Sequence, residues 1–483
     1  MFQEAELDPR IDDDAYRRSE APLRIELLNR QYRLLDRRDR AVLLVVAGVD
    51  GAGKGSTVNL LNEWLDPRHV RTLAFGKPAP EEAQRPPMWR YWKALPAAGH
   101  IGIVFGSWYQ PLMEEAARKK PDPERMAALA AAIVRFEAML VAERVQVVKL
   151  FYHLSREAQA ARIDAQLADP AQAWRVSKED LKVRRKFARL RTAALTVVEA
   201  TQTAHAPWQV IPAADANLRA LRTGEALRDA LRHRLPAAPH SVPAVVEAKS
   251  SPARRRAQVP AAGDYDEELH MLQARLGMAS RSRHFKRRTL VLAFEGLDAA
   301  GKGGAIRRVT RAFDARQYEV VPISAPTQEE LAHPYLWRFW QRLPGHGRIV
   351  VFDRSWYGRV LVERVQKLLP PAAWHRAYDE INDFEAQLAD HGAVIVKFWL
   401  SISKDEQLRR FRERRDTPYK NFKLTPDDWR NRRKWNDYQA ASQDMLARTD
   451  TLHAPWRVVD TDDKRAARLA VLREIVRALE LQL

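Results

Sequence analysis

The sequence predicts an α/β chain: two tandem copies of one doubly wound parallel sheet with helices on both faces. Three observations predict it: a repeat at one fixed spacing, short apolar runs that end on glycine, and charged helical stretches between them.

The repeat comes first, because it decides how everything else is read. Gly48-Val-Asp-Gly-Ala-Gly-Lys54-Gly aligns with Gly296-Leu-Asp-Ala-Ala-Gly-Lys302-Gly, an offset of 248 residues. The same offset relates Trp89-Arg-Tyr-Trp92 to Trp337-Arg-Phe-Trp340, and Ser107-Trp-Tyr109 to Ser355-Trp-Tyr357. It also relates Lys149 to Lys397 and His205-Ala-Pro-Trp208 to His453-Ala-Pro-Trp456. Five separated landmarks at one spacing establish a duplication. Between the copies, a stretch rich in Pro, Ala, Ser and Arg, including Arg254–Arg256, has no periodicity and reads as a linker. The expected organisation is residues 1–235, a linker at 236–263, and residues 264–483.

Each copy opens with a charged helical stretch, Leu23–Arg40 or Asp266–Arg283. An apolar run follows (Ala41–Ala47; Thr289–Phe294) and ends at a glycine, as a buried parallel strand would. Further buried strands are expected at Arg348–Phe352 and Ala393–Leu400.

Composition bounds the function. The chain has 483 residues, 46% hydrophobic and 30% charged, enough for two or three cores. Lys and Arg number 81 against 62 Asp and Glu, a net charge of +19 that favours a polyanionic partner. There is no cysteine, which excludes disulfides, thiolate metal sites and a Cys nucleophile. No apolar run reaches the roughly 18 residues a membrane span needs, and Met1–Glu6 is unlike a signal peptide. The chain reads as soluble and cytoplasmic, with no membrane partner.

A strand, a glycine-rich turn ending in Gly-Lys and a helix form a phosphate cradle. Backbone N–H groups point inward, and the helix N-terminus and lysine add positive charge. Both loops fit, which makes the expected fold P-loop kinase-like. Gly55 and Gly303 stand where Ser or Thr would ordinarily hold a metal, so Asp50 and Asp298 are the natural substitutes. Gly296, Gly301, Lys302 and Gly303 are the expected phosphate-binding residues.

The copies then diverge. The second reads Val351-Phe-Asp353-Arg354-Ser-Trp-Tyr357, with an acid at the carboxyl end of a strand beside the loop, where Mg2+ is usually oriented. The first reads Val104-Phe-Gly106-Ser-Trp-Tyr109, one residue shorter and lacking both charges. Arg359 faces Pro111 and Arg364 faces Ala116, although Glu363 keeps Glu115. The stretch Arg409, Arg410, Arg412, Arg414, Arg415, followed by Asp416-Thr-Pro-Tyr-Lys420, is expected to form a helical lid. The first copy keeps one arginine of it. Catalysis is therefore expected in the second copy.

Gly-Leu-Asp-Ala-Ala-Gly-Lys-Gly-Gly304, Phe352-Asp-Arg-Ser-Trp-Tyr-Gly-Arg359 and Pro418-Tyr-Lys-Asn-Phe-Lys-Leu-Thr-Pro-Asp-Asp-Trp429 resemble the second family of polyphosphate kinases. The fused arrangement with a degenerate first unit is similar to that family's polyphosphate:AMP phosphotransferases. The resemblance implies reversible transfer of a terminal phosphoryl group from inorganic polyphosphate to AMP, giving ADP, with Mg2+. It also implies a charged channel for the polymer. Asp298 and Asp353 would hold the metal, and Lys302 the phosphates. Arg354 and Arg359 would grip phosphates, Glu363 and Arg364 would support nucleotide and metal, and the 409–415 arginines would close over the donor. The alternatives are a polyphosphate-dependent ADP kinase, an ATP-dependent nucleoside monophosphate kinase and, from another class, a nucleic-acid-binding ATPase. No zinc-finger spacing or RNA-binding signature supports a nucleic-acid partner. Fused copies suggest an intrachain pseudo-dimer, and a homo-oligomer of such chains is the further partner expectation.

Overall fold

A computed structural model describes residues 1–232 and 264–482, apart from 172, 419, 420, 422 and 423. The linker at 236–263 and Lys420 lie outside the described residues. Contacts divide the chain into two compact units. The first comprises Met1–Pro78, Arg90–Val242 and Pro326–Trp337; the second comprises Ala79–Trp89, Pro243–Ala325 and Arg338–Leu483.

The first unit holds β1 (Ala41–Gly48), β2 (Val70–Ala74), β3 (Ile101–Phe105), β4 (Val145–His153) and β5 (Trp208–Pro212). Its sheet runs β2-β3-β1-β4-β5, all parallel. The second holds β6 (Thr289–Gly296), β7 (Tyr318–Pro322), β8 (Ile349–Asp353), β9 (Ala393–Ser401) and β10 (Trp456–Asp460). Its order, β7-β8-β6-β9-β10, is the same, and again all strands are parallel. The fold is the expected tandem α/β fold. Chain direction around the sheet reverses at β1 and at β6, so the loop after each lies at the crevice where open α/β sheets bind ligands.

β6 shows why these sequences become central strands. Leu290, Leu292 and Phe294 are fully buried, against Leu276, Ile306, Val309, Leu472 and Ile475 of three helices. Each such side chain contributes about 1.5–3 kcal/mol of transfer free energy. The other face carries an aromatic layer around Lys397, whose ammonium is 0% exposed. It donates to Glu385 (2.7 Å), the Tyr357 hydroxyl (2.7 Å) and the Thr449 carbonyl (2.7 Å). The first unit repeats this with Lys149, Glu137 (2.9 Å), Tyr109 (3.2 Å) and Thr201 (2.8 Å). A buried pair present in both halves belongs to packing rather than chemistry.

Two expectations change. The opening helix of the first unit starts at Asp13, not Leu23, and runs through Pro22, with Asp12 capping its first turn. Nor is β3 one residue short. Val46 pairs with Phe105 as Phe294 pairs with Asp353, so the register is identical. Phe105 occupies the position of Asp353, and Gly106 that of Arg354. The charges were replaced in place, and the shared Phe shifted the reading by one. Among the described residues no helix is long and apolar enough to cross a membrane.

Candidate active site

The second loop begins at Gly296, with φ +148°, where a Cβ would fall 2.5 Å from the Leu400 carbonyl oxygen. Only glycine fits. Gly301, with φ +98°, precedes the Lys302–Thr310 helix and turns the chain into it. Lys302 Nζ donates to the Gly296 carbonyl at 2.7 Å and that of Leu297 at 3.3 Å. Burial and the adjacent Arg354 push its ammonium below the ordinary lysine range, against the pull of Asp298 and Asp353.

β8 delivers Asp353 and Arg354 to the same end of the sheet. Arg354 is left-handed, with φ +64°, a conformation costing about 1–3 kcal/mol for a non-glycine residue. Its Nη2 donates to Asp298 Oδ1 at 2.8 Å. Burial opposes its charge, but Asp298 and Glu295 more than offset that and hold the guanidinium protonated. The loop acid and the strand-end arginine thus meet, with Lys302 within their field.

Four residues escaped the sequence reading. Glu295, the last side chain of β6, is 4% exposed, and its Oε1 accepts from the Ser355 backbone N–H (2.7 Å) and hydroxyl (2.9 Å). Burial raises its pKa, against the neighbouring Arg354 and Lys302. Asn431, on the Pro426–Arg433 helix, donates to Asp298 Oδ2 at 2.8 Å. Asn431 Oδ1 accepts from Gln366 (2.9 Å) and from the Tyr438 hydroxyl (3.2 Å). Both oxygens of Asp298 are therefore engaged, one from the end of β8 and one from the Pro426–Arg433 helix. One signal was available: at the 248-residue offset these four are Ala47, Val183, Arg118 and Leu190.

The other expected residues divide. Arg359 pairs with Glu363 at 3.6 Å on the turn after β8. Arg364 is aimed elsewhere: it donates to the Tyr378 hydroxyl (2.9 Å), pairs with Asp444 (2.8 Å) and stacks on Trp374 (4.3 Å). The expectation that all five arginines of the Lys404–Asp416 helix face the donor fails for Arg410. It is 3% exposed, and it donates to the carbonyls of Ala299 (2.9 Å), Thr461 and Asp462 (3.1 Å), tying helix to loop. The first unit's lone retained arginine, Arg162, makes the same tie to Gly51 at 2.7 Å. Arg409 is exposed and bound to Glu406, and Arg415 to Asp416. Arg412 and Arg414 have neither a hydrogen bond nor an ion pair among the described residues.

In the first unit Lys54 folds onto the carbonyls of Gly48 (2.7 Å) and Val49 (2.9 Å) and reaches Asp50 at 3.3 Å. The cradle is built, but no acid or arginine faces it from β3. Among the described residues no group of three or more His, Asp or Glu side chains is placed to hold a metal. Asp298 and Asp353 fit a cation that takes one or two carboxylates and completes its shell with substrate phosphates and water, as Mg2+ does.

The profile of the Polyphosphate kinase 2 (PPK2) family matches residues 10–238 and again 261–483. A polyphosphate:AMP phosphotransferase of Pseudomonas aeruginosa is 44% identical over 489 aligned residues, covering 99% of both chains. One from Acinetobacter johnsonii is 38% identical over 96% of each. A crystal structure of a putative polyphosphate kinase 2 from P. aeruginosa superimposes with a TM-score of 0.88 at 42% identity, covering 100% of this chain and 99% of that one. The same lysine loop in both halves, set on the same sheet and matched twice by one profile, leaves a single conclusion: the chain belongs to the polyphosphate kinase 2 family.

Proposed function

We propose that the second unit transfers the terminal phosphoryl group of inorganic polyphosphate to AMP, giving ADP, reversibly and with Mg2+. The observation that carries this is the convergence of Lys302, Asp298, Asp353 and Arg354 at one sheet end. The full-length relatives named polyphosphate:AMP phosphotransferases support the choice of donor and acceptor.

The acceptor oxygen belongs to a phosphate already ionised near neutral pH, so no general base is required. That oxygen attacks the terminal phosphorus, the bond to the bridging oxygen breaks, and the polymer leaves one unit shorter. Catalysis rests on alignment and charge neutralisation. Lys302 and the N–H groups of Gly301–Gly303 hold the terminal phosphates. Arg354, fixed by Asp298, and Arg359 offset charge on the migrating group. Asp353, whose carboxylate accepts no hydrogen bond among the described residues, and Asp298 would hold Mg2+, directly or through water. The bound cation would supply further charge neutralisation.

The test is purified protein with AMP and polyphosphate, without ATP. ADP should accumulate, and chelation of divalent cations should stop it. Absence of ADP under these conditions rules the reading out.

A further inference from the structure

A cavity of about 230 Å3 lies beside the second loop, against Ala299–Gly301 and Gly304. Its buried lining is mostly apolar (Ala300, Ala305, Leu400, Ala467 and Val471), with the Arg410 guanidinium, itself tied to the Ala299 carbonyl, beside it. Its mouth is cationic: Arg414, Lys464 and Arg468, with Glu413 beside them. Lys464 pairs with Glu413 at 3.5 Å. Arg414 and Arg468 have no hydrogen bond or ion pair among the described residues. The Arg468 guanidinium lies over the start of the loop helix, where a Cβ on Gly304 would meet its Nη2 at 3.6 Å.

The first unit treats the same space in the opposite way. Arg219 stands at the offset position of Ala467, and its buried guanidinium occupies the space. It donates to the Thr57 hydroxyl (2.9 Å), the Ala213 carbonyl (3.1 Å) and the Ser56 hydroxyl (3.4 Å). A Cβ on Gly53 would meet its Cζ at 2.6 Å. Ser56 and Thr57 become Gly304 and Ala305 in the second unit, so the polar handles vanish where the cavity opens. Gln166, Ala216 and Ala220 replace the three cations of the mouth. One unit plugs the space and strips its rim. The other empties it and rings it with charge.

A chain of phosphates has no use for an apolar floor, and an apolar ligand has none for unpaired arginines. A nucleoside polyphosphate uses both. We propose that this cavity receives the base of a nucleoside triphosphate whose phosphates run past Arg414 and Arg468 to Lys302. The second unit then accepts such a triphosphate as an alternative phosphoryl donor. The volume is below the roughly 300–1,000 Å3 of sites that enclose a whole drug-sized ligand, so the base enters while ribose and phosphates stay along the loop. The step balances. An AMP phosphate oxygen bonds to the γ-phosphorus, the γ-phosphorus–bridging oxygen bond breaks, and the nucleoside diphosphate leaves with that oxygen. The inference rests on the phosphoryl-transfer reading above but not on the identity of its polymer donor.

The experiment compares ATP with inorganic triphosphate as donor to labelled AMP on the full chain, since the two differ only by the nucleoside. We expect kcat/KM for ATP at least about tenfold higher, and Ala467→Arg, which copies the first unit's plug, should erase that advantage. An unchanged melting temperature checks the fold of the variant, and Ala467→Leu replaces it if it fails. The proposal falls if inorganic triphosphate serves as well as ATP, or if the advantage survives filling of the cavity. Polymer-driven turnover without ATP-driven turnover would overturn this inference and leave the proposed function standing; the converse would do the reverse.

Discussion

The two halves of this chain are one fold with two sets of charges. Every strand of the second sheet begins 248 residues after its counterpart, so neither copy has gained or lost a residue between β1 and β5. Apolar ladders, the lysine loop and the buried Lys–Glu–Tyr set are the same in both. The charged differences gather at the carboxyl ends of the strands and on the helices that face them. Glu295, Asp353, Arg354 and Asn431 give way to Ala47, Phe105, Gly106 and Val183. The core therefore holds this architecture without the charges at its rim.

That contrast can be broken in measurable ways. The largest expected effect is at the strand-end acid: Asp353→Asn should lower kcat by on the order of 10³-fold, about 4 kcal/mol, with little change in melting temperature. An equal loss from Asp50→Asn in the first loop would place the chemistry in the wrong half.

Next come the two buried lysines. Removing one partner of a buried pair typically costs about 3–5 kcal/mol, so Lys149→Met and Lys397→Met should destabilise their own units alike in denaturant titration. A large effect on only one would show that the shared set is not a shared packing device.

Glu295→Gln should separate activity from stability. The pKa of Glu295 is raised by burial, so the fold prefers it protonated. Stability is then full below the ordinary carboxylate pKa and is lost as pH rises through that value towards the raised one. The amide removes this loss: the variant should melt higher than wild type at neutral pH, with the gap closing near pH 4. Its kcat should fall about tenfold, because Arg354 and Lys302 lose a compensating charge. A variant melting lower at pH 7 would contradict this account.

A smaller effect is expected on the Pro426–Arg433 helix. Asn431→Val, the residue of the first copy, leaves one oxygen of Asp298 without its partner. It should reduce kcat/KM by less than about tenfold, at roughly 1 kcal/mol for one such hydrogen bond. Smallest of all, Lys54→Ala should change turnover by less than about twofold, because no charged partner from β3 faces that loop. Steady-state kinetics measures both.

The sequence made the repeat, the loops and the central strands legible, because each rests on local pattern: glycine at a turn, an apolar run in a strand. It also exposed Asp353 and Arg354, by contrast with a neutral copy. It hid Glu295, which reads as the tail of an apolar run although its partner Ser355 lies 60 residues away. Asn431 was hidden for the same reason: its contact with Asp298 spans 133 residues. Arg410 misled in the opposite direction, since a basic run looks uniform until burial separates a structural tie from the exposed cations around it. Arg364 did so as well, its neighbours Trp374, Tyr378 and Asp444 being fixed by tertiary packing alone.

The bend after β3 has a last consequence. Gly106 keeps the left-handed turn of Arg354, but its backbone has settled where a Cβ would fall 2.2 Å from the Phe75 carbonyl oxygen. No side chain can return there until the neighbouring segment moves. The first unit is thus sterically barred from carrying an arginine there by one substitution, so the contrast between the halves is written into the main chain as well as into the side chains.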